Sequence, residues 1–197
     1  MQRDFRGKWV RNPVEVRAES DGVTVEGYAA VFNQITDIGG YFREQIAPGA
    51  FRDAIGRDDV VFLINHDGLP LARTRSGTLE LKEDDHGLFV RTRLDAEDPD
   101  ARSIIGKMKR GDLDKMSFAF IPEVQEWTDL DGEMPLRTIR SAKLFDVSIV
   151  TTPAYDGTEI GLRSLKDHRT ALRRHNFNAA ALRRSMKLGI DLRSRGI

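Results

Sequence analysis

The chain has 197 residues, which suits one compact domain plus a tail, and its 40% hydrophobic content is enough to build a core. Lysine plus arginine and aspartate plus glutamate balance at 31 each, so net charge draws the protein toward neither nucleic acid nor membrane. The absence of cysteine excludes disulfides, thiolate zinc sites and a cysteine nucleophile; with a charged stretch over residues 1–10 and no apolar run of bilayer-spanning length, a soluble intracellular protein is expected.

Residues 14–18 and 23–28 alternate apolar and polar side chains, and Asp21-Gly22 between them is a tight-turn signal, so the two form a predicted hairpin. Residues 38–40 read as a loop. A short helix is expected from Pro48 through Ile55, closed by Gly56. Residues 60–64 are a continuous apolar run of strand length, the pattern of a strand buried on both faces, and the run ends in the polar cluster Asn65-His66-Asp67-Gly68. Residues 78–81 and 87–94 form the next predicted hairpin, turning at residues 84–87. A helix is expected over about residues 100–110, with Pro99 in its first turn, Gly111 beyond its end, and Ile104, Ile105 and Met108 on one face.

A strand over residues 115–124 follows, then a turn at Asp131-Gly132, then two strands over 136–139 and 142–150, with Pro153 ending the sheet. From Glu159 the chain reads as helical and basic. The expected organisation is an N-terminal arm (1–12), one folded domain (13–160) and a basic helical or partly disordered tail (161–197). The fold class is α+β, mainly β. Many short strands with turn signals and few helices argue for a closed or orthogonally packed β-barrel with helices outside.

Several chemistries lack their motifs. There is no Gly-x-x-x-x-Gly-Lys or Gly-x-Gly-x-x-Gly phosphate cradle, no His-Glu-x-x-His and no Gly-x-Ser-x-Gly elbow. The four histidines, at 66, 86, 168 and 175, lack metal-ligand spacing, so neither a metal nor another cofactor is expected.

Three side chains stand out. His66 follows the most apolar strand, and an imidazole at the mouth of a rigid element suits a general base; a histidine that only hydrogen-bonds within its turn is the competing reading. Alternation places Met116, Phe118 and Phe120 on one face and Ser117, Ala119 and Ile121 on the other. The Ser117 hydroxyl is either substrate-facing or a small group filling a sheet position. Asp146 points by alternation with Leu144, Ser148 and Val150, opposite Phe145, Val147 and Ile149. A carboxylate in so apolar a strand needs a partner, either an imidazole N–H or a Lys or Arg in an ion pair.

Taken in order, Asn65-His66-Asp67, Met116-Ser117-Phe118-Ala119-Phe120 and the segment from Leu144 to Tyr155 resemble the prohead (capsid maturation) protease family of tailed phages. Residues 27–33, residues 46–51 and the Gly87-Leu88 hairpin also match, so the resemblance spans about residues 14–155. It implies a β-barrel surrounded by helices, like that of the herpesvirus assemblins, and a serine endopeptidase with Ser117 as nucleophile and His66 as base. The assemblins use a second histidine as third member. This chain offers no match for it, and Asp146 is assigned instead. Backbone N–H groups would form the oxyanion hole, with Arg73, Arg75 and Arg140 as candidate helpers or simply exposed strand charges.

The resemblance further implies that the major capsid protein and scaffold are the substrates. Self-cleavage, a homodimer, and action inside the assembling procapsid in the host cytoplasm are also implied. A noncatalytic assembly factor that keeps the fold is the alternative, and the intact His66 and Ser117 argue against it. The tail mixes alanine, leucine and arginine at helical spacing, as a solvated helix or as a segment that docks on shell subunits. Its basic stretch lacks interleaved aromatics, Phe177 standing alone, so nucleic acid is not an expected partner.

Overall fold

The computed structural model describes residues 14–19, 22–130, 134–151 and 170. The N-terminal arm, the Asp131-Gly132 turn, Pro153 and the basic tail apart from Thr170 lie outside the described residues. Among these residues the elements run β1 (Glu15–Glu19), β2 (Gly22–Val31), β3 (Thr36–Ile38), β4 (Phe42–Ile46), α1 (Arg52–Arg57), β5 (Val61–Ile64), β6 (Asp67–Arg73), β7 (Leu79–Glu83), β8 (Gly87–Leu94), α2 (Pro99–Lys109), β9 (Lys115–Thr128) and β10 (Leu136–Val150). No helix of the described residues is long and apolar enough to cross a membrane.

The fold is mainly β, but the expected closed barrel is not formed. The strands make two open sheets: β1-β2-β8-β7, and β3-β4-β10-β5-β6 with β9 also on β10. The long strand β10 explains why the second sheet does not close. Along one edge it carries β9, antiparallel for nearly its whole length. Its other edge is shared by two short parallel strands, β4 on residues 136–139 and β5 on residues 146–149. The ladder therefore fans out at β10 instead of passing from neighbour to neighbour around a ring.

One hydrophobic core unites the two sheets and both helices. Val25, Leu81, Leu88 and Val90 come from the first sheet, Phe62, Ile139, Leu144, Val147 and Ile149 from the second, Ala54 from α1 and Ile104 and Met108 from α2. The α2 helix starts where the sequence places it. The Asp98 side chain accepts the Asp100 N–H at 2.9 Å, Pro99 occupies the first turn, and Gly111 at φ +78° follows the end. The α1 helix begins later than expected and includes Gly56. Its entry is held from another element: the Glu83 carboxylate accepts the N–H groups of Gly49 and Phe51, at 2.8 and 2.9 Å.

Three strands lie where the sequence shows no strand signal, namely β3, β4 and β6. Both predicted hairpins form, with Glu19 opposite Gly22 and Glu83 opposite Leu88. Gly87 is required at its position, because a Cβ there would lie 2.0 Å from the Ala30 carbonyl oxygen. The apolar run at residues 60–64 is buried only at Val60 and Phe62, so β5 offers one face to the core and not two. The two strands expected over 136–150 are a single one.

Candidate active site

The site is assembled at the C-terminal end of β10. Because β5 and β10 pair in parallel, with Val61 opposite Asp146 and Ile64 opposite Ile149, the residues leaving β5 arrive beside the last turns of the β10 ladder. Those residues are Asn65 and His66. Ile64 pairs with Asp67, so Asn65-His66 is the two-residue connection between β5 and β6. Both have positive φ, +50° and +59°, the pattern of a type I′ hairpin turn. Asparagine tolerates that conformation. Histidine in place of the usual glycine carries strain, of order 1 kcal/mol or more, so the turn needs outside support.

That support comes from β10. The Asn65 N–H donates to the Ile149 carbonyl at 3.0 Å, and the Asn65 Oδ1 accepts the Thr151 N–H at 3.0 Å. The His66 N–H donates to Ser148 Oγ at 3.2 Å. The His66 ring then reaches Asp146, with Nδ1 2.6 Å from Oδ1. Both side chains are largely enclosed, at 16% and 10% exposed. The competing partner for Asp146, a lysine or arginine, is not what the fold supplies.

A β-bulge sets the direction of the carboxylate. Leu144 lies opposite Phe120 and Asp146 opposite Ala119, so Phe145 is the extra residue. Directly opposed residues share a face, and Phe120 and Ala119 are neighbours on opposite faces of β9. Leu144 therefore faces the core with Val147 and Ile149, while Asp146 and Ser148 face the other way with Ala119 and Ser117. The simple alternation that grouped Leu144 with Asp146 fails at this bulge. Ser117 is directly opposite Ser148 in the ladder and is half-buried. Its hydroxyl makes no hydrogen bond to the imidazole among the described residues. Asp146 occupies Nδ1, which leaves Nε2 as the ring nitrogen free to exchange a proton.

Asp58 fixes the bulge from outside, its Oδ2 accepting the Leu144 N–H at 2.9 Å. Hydrogen bonding from Arg57 leads in holding the Asp58 carboxyl below its ordinary 3.8, against the cost of burial and with help from the Leu144 N–H. A depressed folded-state value stabilises the fold above the unfolded value and is lost as pH falls through the folded one. Asp58→Ala is expected to cost about 2 kcal/mol at neutral pH. The difference from wild type should shrink as the pH is lowered below the ordinary carboxylate range. Urea unfolding across that range checks both statements.

Two of the three arginines near these strands are engaged elsewhere. Arg73 binds Asp59 at 2.6 Å and Arg140 binds Glu126 at 2.9 Å, on exposed surface, and Arg75 is exposed in the turn after β6. No group of three or more metal-ligating side chains occurs among the described residues.

The family described as Caudovirus prohead serine protease matches the chain over residues 12–171. The chain belongs to this family. The prohead protease of Enterobacteria phage HK97 is 28% identical to it over 192 residues, spanning 91% of this chain and 79% of that one. No solved structure matches. This member of the prohead protease family thus pairs the His66 imidazole with the Asp146 carboxylate and places Ser117 and a second, fully buried serine, Ser148, on the sheet face of Asp146. Sequence reading did not single out Ser148 for a role. Its signal was present, since a serine two residues after an aspartate on one strand shares its face.

Proposed function

We propose that this protein is a prohead maturation protease in which Ser117 attacks the peptide carbonyl, His66 takes its proton and Asp146 orients the imidazole. The observation that carries this reading is the 2.6 Å contact between His66 Nδ1 and Asp146 Oδ1, on the sheet face that also bears Ser117. An imidazole held at one nitrogen by a carboxylate has a fixed tautomer and orientation, and gains stabilisation when it becomes an imidazolium. Attack by Ser117 would give an acyl-enzyme with the proton on His66. The leaving amine then takes that proton, and water regenerates the serine by the same route in reverse.

The substrates proposed are the major capsid protein, in its scaffold-like region, or a separate scaffold. Cleavage of the enzyme by itself is part of the same reading. The place of action is the assembling procapsid in the host cytoplasm, and a homodimer is the proposed state. A noncatalytic role is disfavoured, because a strained histidine braced against a carboxylate serves no purpose that glycine at the turn would not serve better. Co-expression of the chain with the major capsid protein of its own phage tests the reading. A capsid protein shortened at one defined peptide bond is expected. Capsid protein that stays full length inside assembled shells would contradict it.

A further inference from the structure

We propose that Ser148 is a positioning residue for the catalytic imidazole, acting through both the His66 backbone and the Asp146 carboxylate. The proposal rests on the roles of His66 and Ser117 proposed above and adds a fourth side chain to them. Ser148 is fully buried. Its Oγ accepts the His66 N–H at 3.2 Å and donates to Asp146 Oδ1 at 2.7 Å, and it lies 3.3 Å from His66 Nδ1. A single hydroxyl therefore connects the backbone of a residue at φ +59° to the carboxylate that holds the same residue's ring.

The two contacts have different consequences. Accepting the N–H satisfies a donor that the left-handed turn points into the protein and so helps to keep His66 in a conformation it would otherwise leave. Donating to Oδ1 orients the carboxylate, which then presents an oxygen to Nδ1 in a fixed direction. Without Ser148, Asp146 loses one of its two side-chain partners and the His66 N–H loses its acceptor. The ring is then free to leave the orientation that the Asp146 contact gives it.

Ser148 is not itself placed to attack a peptide. Its hydrogen is committed to Asp146, it stands on the Nδ1 side of the ring, and no surface of it is open to a substrate. Ser117, opposite it in the ladder, is half-buried, and its hydroxyl makes no hydrogen bond among the described residues.

Diisopropyl fluorophosphate provides the probe. The attacking serine oxygen bonds to phosphorus, fluoride leaves, and the serine proton passes to His66. The inactivation rate at saturation and the half-saturating concentration are measured for the full chain and for Ser148→Ala, Ser148→Cys and Ser117→Ala. Mass spectrometry locates the label, and thermal unfolding follows the fold. We expect Ser148→Ala to lower the saturating rate about 10- to 100-fold, the scale on which small misplacements act, with the half-saturating concentration within about twofold of wild type. The label stays on Ser117.

Ser148→Cys fills the site, with a slightly larger atom, but supplies only a weak donor and acceptor, so its rate should stay low. It also carries the test should Ser148→Ala fail to fold. A Ser148→Ala rate within twofold of wild type, or a full recovery in Ser148→Cys, would overturn the positioning role. Both outcomes would leave the functional reading intact so long as Ser117→Ala takes up no label. A wild-type label found away from Ser117 would instead overturn the functional reading.

Discussion

Ser117→Ala is expected to leave the capsid protein uncleaved, with a loss of rate on the order of 10⁶-fold, the scale seen when a serine peptidase loses its nucleophile. The fold should hardly notice the change. Ser117 is half-buried, makes no hydrogen bond among the described residues, and sits in a ladder whose pairing uses only its backbone. Alanine keeps that backbone, so stability should move by no more than about 0.5 kcal/mol. The combination of an unaltered melting temperature and absent cleavage is the signature of a lost nucleophile. A protein that merely packed a small residue at position 117 would lose neither, and one that needed the serine for folding would lose both.

The second large effect concerns the imidazole and its carboxylate. His66→Ala should be about as inactive as Ser117→Ala, and the double variant no worse than either, because a nucleophile and its base act as one unit. Asp146→Asn should fall between, losing on the order of 10⁴-fold. The amide is nearly the same size, but its NH₂ can turn toward Nδ1 and favour the tautomer that places the ring's hydrogen on Nε2. With that hydrogen in place Nε2 is a donor and cannot take the serine proton. Capsid processing by the three single variants and the double, compared at equal expression, distinguishes a cooperative unit from independent contributions. Losses that multiply in the double variant would count against the shared mechanism.

Much of the sheet was legible in the sequence because local signals agree with it. Alternating residues and Asp-Gly or Asp-Asp-His-Gly turns announce the β1–β2 and β7–β8 hairpins, and Pro99 in the first turn with Gly111 beyond the end announces α2. Of the missed strands, β6 has two causes. The β5–β6 hairpin turns on Asn-His, where the usual signal is Asn-Gly, so His66 conceals the turn that presents it. Strand β6 itself contains Gly68 and Pro70, which a strand tolerates only at an edge, and β6 is an edge.

The closed barrel was a reasonable inference from many short strands. It failed because one edge of β10 is divided between two parallel partners, and such long-range pairing leaves no local trace. Of the proposed site, His66, Ser117 and Asp146 stood out as candidates by their chemistry and by the order of their motifs. Their mutual arrangement was not. It depends on a parallel pairing of distant strands and on a bulge at Phe145 that reverses which neighbours share a face with Asp146. Alternation is reliable only within an uninterrupted ladder.

The central claim is that one serine hydroxyl, activated by His66, forms the covalent bond. The most direct measurement is peptide mapping of the wild-type chain after reaction with diisopropyl fluorophosphate. A single phosphoryl group on Ser117, absent when His66 is replaced by alanine, is the predicted result. Modification of Ser148 or of any other side chain, or undiminished labelling without the imidazole, would contradict it.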